Sequence, residues 1–288
     1  MSRIADLQAA AKRYAERAEA MRRDHGSVDT AYVIADRDSE IGGGLMAGAL
    51  AYRLFIWLLP FALVVVGGIG IAADVSTDST STATRSLGLS GIVSHSVADA
   101  SRSSSRWYAI AIGVPVLLWA TRGLLKALVV VHRLVWGDPR RTVPKPTLWD
   151  TVRFLGFLAV YFAIREVARW VGIWTGSVAL RVLVGLAGMA VWWVLISLRL
   201  PHRDARWQDL VPGALIMAAG LELISDVGTY LIAPRIEASQ STYGALGIAA
   251  TLLFGLFLIC RLVVAATVVN ATVRERRLDA AGRPDRVG

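Results

Sequence analysis

LFIWLLPFALVVVGGIGIAA, residues 54–73, is 20 residues long and carries no charge. Three further stretches read the same way: 23 residues from Ala238 to Cys260, 17 from Val182 to Leu198 and 15 from Trp107 to Thr121. A helix needs roughly 20 mostly apolar residues to cross the hydrocarbon core of a bilayer. Unpaired backbone groups are too costly inside lipid, so only helices or closed barrels cross it. These runs are continuous rather than alternating, which selects helices. The chain therefore reads as an all-α, polytopic integral membrane protein.

Composition agrees. Hydrophobic residues make up 55% of the chain, and the formal charge is +9. In a membrane protein, excess Lys and Arg serve cytoplasmic loops and anionic lipid. Membrane lipids are therefore the expected partners, and nucleic acid is not. Cys260 is the one cysteine, so neither an internal disulfide nor a multi-thiolate metal site can form. The first 43 residues are polar and charged, with no signal-peptide core. The first crossing is then expected to act as an uncleaved insertion signal.

Six crossings are expected. They run from about Gly44 to Ala73, Trp107 to Trp136, a weak third around Phe154 to Ile164, Val178 to Leu198, Leu210 to before Pro234, and Tyr243 to Asn270. The third is followed at once by Arg165, Glu166 and Arg169. It crosses only if those charges face protein or snorkel outward. Lys and Arg in the connections number 18 on one side and 4 on the other. That bias places both termini in the cytoplasm and requires an even number of crossings.

Outside the bilayer, residues 1–43 read as a cytoplasmic helical segment, with an apolar stripe from Ile4 to Met21. That stripe lies either on the membrane surface or on the cytoplasmic loops. Residues 74–106 form an external loop rich in Ser and Thr, and its Leu87 to Val97 stretch could cap the bundle mouth or act as a lid. Residues 44–270 form the transmembrane domain. Residues 271–288 form a basic tail, expected to be disordered near anionic headgroups.

Ionisable residues inside a bilayer are functional candidates. Arg53, Arg122, Lys126, Glu222, Asp226 and Arg261 fall at such depths. Arg122 and Lys126 share a helix face, as do Glu222 and Asp226. The second and fifth crossings could pair through them. If the six converge, four cations against two anions make a cavity suited to an anionic headgroup or carboxylate. The alternative is structural, with ion pairs fixing helix register and Lys126 snorkelling. Gly44 and Gly48, and Gly172 and Gly176, have the spacing of close helix contacts, expected within the bundle or at a homo-oligomer interface.

Four segments carry a resemblance: MAGALAYRLFIWLLP (46–60), LLWATRGLLKALVVVHRLVWG (117–137), WQDLVPGALIMAAGLELISDVGTYLIA (207–233) and the long run from Ser241 to Arg277. Together they resemble the YihY/BrkB family of bacterial inner-membrane proteins, over about residues 40 to 277. Ala51 and Tyr52 followed by Pro60, Tyr243 and Gly244 before the last crossing, and the six-helix order are its most telling parts. This chain departs from the family at Arg53, where an uncharged residue is usual. It departs at Trp57 and Leu58, where a serine is common. Asn270 and Glu275 stand where an acidic helix end is frequent. The resemblance implies an envelope role, with family links to serum resistance and lipid export.

Some members were once labelled ribonuclease BN. A nuclease needs clustered carboxylates for metal ions, or His with a general acid. The four histidines are far apart in sequence, and no Walker loop or nucleophile elbow occurs. The expectation is a non-enzymatic protein without metal or cofactor: a transporter or flippase of an anionic lipid or envelope precursor. A non-transporting scaffold or assembly factor is the alternative, and a ribonuclease a remote one.

Overall fold

The computed structural model describes residues 26–75, 105–138, 146–227 and 233–282. Among them are seven helices and no strand. α1 (Gly26–Glu40) precedes six longer helices: α2 (Gly43–Val75), α3 (Ser105–Trp136), α4 (Leu148–Thr175), α5 (Val178–Ser197), α6 (Trp207–Val227) and α7 (Ala233–Ala280). The expected helix at 3–23 and the Leu87 to Val97 segment lie outside the described residues.

Among the described residues, α2, α3, α5, α6 and α7 contain segments long and apolar enough to cross a membrane. α4 does not, because Arg165, Glu166 and Arg169 interrupt its apolar run. Its 28 residues nevertheless make about 42 Å of helix.

Polar contacts show which helix ends lie together. Arg37 of α1 donates to the Val135 carbonyl near the end of α3 (2.9 Å) and pairs with Glu275 near the end of α7. Arg277 of α7 pairs with Asp209 in the first turn of α6 (2.7 Å). The starts of α2 and α6 and the ends of α3 and α7 therefore gather beside α1, at what we term the basic end. The start of α4 and the end of α5 join them there around a shared cavity. Helices α3 to α7 each pack on the next, α3 also packs on α7, and α2 lies against α3 and α7.

Among the described residues, burial is concentrated toward the basic end. Ala47, Leu50 and Ala51 of α2 meet Val131 and Val135 of α3, Leu210 and Ala214 of α6, and Val264 and Val268 of α7 in one cluster. Leu59, Leu63, Ile112, Leu183 and Leu215 are exposed. Apolar surface on both sides of a helix suits a lipid-facing bundle. Two tryptophans differ in burial. Trp57 is buried, stacks on Phe61 (4.7 Å) and donates its indole N–H to Thr121 Oγ1 (2.8 Å). Trp119 faces outward.

Two helix ends need special residues. α4 opens with a capping box: the Asp150 N–H donates to Thr147 Oγ1, and Thr147 N–H donates to Asp150 Oδ2 (2.9 Å). The Thr147 hydroxyl, then its amide, hold the Asp150 carboxyl below its ordinary range. A depressed carboxylate contributes stability above the unfolded value and loses it as pH falls through the folded one. Thr147→Ala is expected to cost about 1 kcal/mol at neutral pH. Thermal unfolding should show that cost shrinking as pH falls below the ordinary carboxylate range and the Asp150 carboxylate protonates. α4 ends at Gly176 with φ +64°, a left-handed conformation that glycine adopts without strain. Ser177 then caps α5 by accepting from the Leu180 N–H (3.3 Å).

Several expectations are revised. The basic tail is helical as far as Ala280, because Glu275, Arg276 and Arg277 are each held by a partner on α1 or α6. A Cβ at Gly44 or Gly48 would meet nothing within 4 Å, so this pair makes no close helix contact in the described chain. Gly172 does serve one, against Arg181.

Candidate functional site

The ends of three helices converge at the basic end around a cavity of about 920 Å³. Its floor is apolar: Leu128 and Val129 of α3, Phe154 and Phe157 of α4, and Ile196 of α5. Its rim carries Arg133, Arg153, Arg199, Arg203 and Arg274, with His202, against Asp138, Asp150 and Asp204. Five guanidiniums face three carboxylates, so the rim is net cationic. The size lies within the range of small-molecule sites.

The rim is locally constrained. Arg133 is buried and pairs with Asp138 at 3.6 Å. The Arg153 guanidinium lies over the Trp149 ring at 5.1 Å. His202 Nδ1 lies 2.6 Å from the Leu200 carbonyl and donates to it, since the carbonyl can only accept. Arg203 (φ +41°) and Asp204 (φ +56°) both sit in the left-handed region. Non-glycine residues held there cost of order 1–3 kcal/mol each, and such strain clusters at functional sites. An apolar floor under a guanidinium rim can hold an amphiphile with an anionic head.

None of the residues expected from sequence lines this cavity. Arg53, Arg122 and Lys126 are exposed on α2 and α3, with Arg53 Nη1 beside Gly123. Arg261 makes a two-point pair with Asp38 of α1 (2.8 and 2.5 Å). Glu222 pairs with Arg165 of α4, not with Arg122, and Arg165 also donates to Ser225 Oγ (2.9 Å). The expected pairing of the second and fifth crossings is thus replaced by one between α4 and α6. Helix order decides this: α6 packs on α5 and α7, with α4 reaching it beside α5. Ala51 and Pro60 are buried, and Tyr52 faces outward. The side chains of Asp226 and Tyr243, and the surroundings of Gly244, lie outside the described residues.

A second cavity of about 440 Å³ lies further from the basic end, between α4, α5 and α6. Glu222 lines it, with Arg165, Arg169, Arg181 and Glu166. Among the described residues, no three His, Cys, Asp or Glu side chains gather as a metal site. The five rim arginines escaped the sequence reading because three of them, Arg199, Arg203 and Arg274, served there only as connection charges. Their convergence with Arg133 and Arg153 depends on the ends of α3, α4 and α5 meeting beside α7, which supplies Arg274.

Comparison with known proteins places this architecture. A family model described as virulence factor BrkB matches residues 35–287. The UPF0761 membrane proteins of Stenotrophomonas maltophilia strains K279a and R551-3 are each 27% identical over 232 residues. Each alignment covers 74% of this chain and 53% of the relative, so the chain spans about half the length of the curated relatives it matches. No solved structure matches it. With nearly the whole helical bundle inside the match, the chain belongs to the BrkB virulence factor family of membrane proteins.

Proposed function

We propose that this chain crosses a bacterial inner membrane six times and carries an anionic lipid or envelope precursor across it. It does so without covalent chemistry, metal or cofactor. Helix direction supports the sixth crossing. α3 and α5 both end at the basic end, so α4 has to return the chain to the far end between them. The Arg165–Glu222 pair answers the charge that makes α4 a poor span by composition. The bias of Lys and Arg puts the basic end, with α1 and the end of α7, in the cytoplasm.

The observation that carries the function is the cavity with an apolar floor and an arginine rim at that end. It suits an anionic head drawn from the cytoplasmic leaflet with its chain against Phe154 and Phe157. Arg153 and Arg199 are exposed on its rim and available to such a head. A basic residue near a membrane surface contributes about 1 kcal/mol toward anionic lipid. The Arg153→Gln/Arg199→Gln double variant should therefore bind phosphatidylglycerol about 30-fold more weakly, with phosphatidylcholine binding unchanged. Lipid binding to protein in neutral detergent measures this. Equal phosphatidylglycerol affinity in both proteins would remove the cavity as the site. Binding that depends on the rim without lipid movement in proteoliposomes would favour the scaffold reading.

A further inference from the structure

The two cavities lie on one seam. The first takes Phe154 and Phe157 of α4 with Ile196 of α5, and the second takes Arg165 and Ala168 of α4 with Arg181 and Gly185 of α5. From Phe157 to Arg165 is about 12 Å along the helix axis. Both are bordered by guanidiniums. The second therefore repeats the chemistry of the first further along the same pair of helices.

Between them the seam is shut by specific contacts. The Tyr161 and Trp192 rings are 5.3 Å apart, and the Trp192 indole N–H donates to the Phe157 carbonyl (2.7 Å). One turn further on, Gly188 lets α5 approach Ile164 so closely that a Cβ there would lie 2.7 Å from Ile164 Cγ2. α4 fully buries only Thr151 and Ala168 along its 28 residues, while Phe154, Phe157, Tyr161 and Ile164 pack on the core only partly buried. Few buried contacts mark the elements of a fold that move most easily.

We propose that the α4–α5 seam is the route of the anionic head, and that the cavity around Arg165, Arg181 and Glu222 is its second station. The Tyr161–Trp192 and Ile164–Gly188 contacts form the barrier between the two, and displacement of α4 opens it. The head leaves the rim arginines, passes the barrier and is received by Arg181 and by Arg165, whose partner Glu222 limits how tightly it is held. A second site of moderate strength permits release on the far side. This proposal rests on the transport reading above.

A staple across the barrier tests it. The Cβ position at Gly188 lies 3.8 Å from Ile164 Cβ, the spacing of a disulfide. Ile164→Cys/Gly188→Cys is made with Cys260→Ser, which removes the other thiol. Proteoliposomes of phosphatidylcholine carrying a fluorescent phosphatidylglycerol report head movement through quenching by dithionite. Oxidation is expected to slow movement about ten-fold or more, with recovery once the disulfide is reduced and the excess reductant removed before quenching. Binding at the rim, read by phosphatidylglycerol affinity, should not change. Arg181→Glu, at the second station and away from the barrier, should slow movement similarly with rim affinity intact. Movement that survives the staple and Arg181→Glu overturns the seam route and leaves the transport reading standing. Absence of movement in the unaltered protein overturns both.

Discussion

Gly213→Ala should destabilise the bundle strongly. Gly213 lies on α6 where it crosses α7, one residue after Pro212. A Cβ there would overlap the Ala266 carbonyl oxygen and come within 2.5 Å of Asn270 Oδ1. The obstacle is backbone within a buried helix, so it cannot rotate away. The Gly213 N–H also donates to Asn270 Oδ1 (2.7 Å), tying the two helices at that point. Alanine improves helix propensity by about 1 kcal/mol. Against that stand overpacking of about 1–3 kcal/mol and a buried hydrogen bond whose loss costs about another 1–3 kcal/mol. The clash wins, and a net loss of about 3 kcal/mol is expected. Yield of monodisperse protein in detergent and its thermal unfolding measure the effect. Gly220→Ala is the informative comparison. Its Cβ would meet the Leu262 side chain, 2.5 and 2.6 Å from its methyls and 3.1 Å from Cγ, and that side chain can adopt another rotamer. Gly44→Ala, which meets nothing, should be neutral or slightly stabilising. Equal stability of the Gly213 and Gly44 variants would remove the close crossing of α6 and α7.

Breaking the Arg165–Glu222 pair should cost about 3 kcal/mol from either side. The pair joins α4 to α6 away from the basic end, with Ser225 as a third member. Removing one partner leaves the other charge uncompensated in a low-dielectric setting, which typically costs about 3–5 kcal/mol. Partial exposure within the bundle argues for the lower part of that range. Glu222→Ala and Arg165→Ala should each destabilise strongly, and the double variant by less than their sum. The reversed pair Arg165→Glu/Glu222→Arg should recover part of the loss. Thermal unfolding of all four variants in one lipid–detergent mixture gives the coupling. Additive single losses would show that the two side chains act independently. If the reversed pair folds but moves no lipid, the charge at each position also matters to the second cavity.

The hydrophobic runs announced most of the helices. The boundaries expected for the second and fourth crossings fall within two residues of α3 and α5. Those boundaries are legible because lipid penalises every unpaired backbone group, so an uninterrupted apolar run has one low-energy conformation. The length of α7 was not legible. It ends at Ala280, ten residues beyond the expected last crossing, because Arg276 and Arg277 are held by Asp29, Thr30 and Asp209 on other helices. Nothing in the local sequence of the tail names those partners.

Sequence alone determined the membrane class, the helical architecture and the family. All three follow from residue type along one dimension: hydrophobic length, charge and the order of segments. Tertiary structure alone decided which charge meets which. Glu222 found Arg165, Arg261 found Asp38, and five arginines from separate stretches came to share one rim. Those outcomes depend on the rotation of each helix about its axis and on which helices are neighbours. Side-chain packing sets both, and a run of apolar letters is nearly the same from every side.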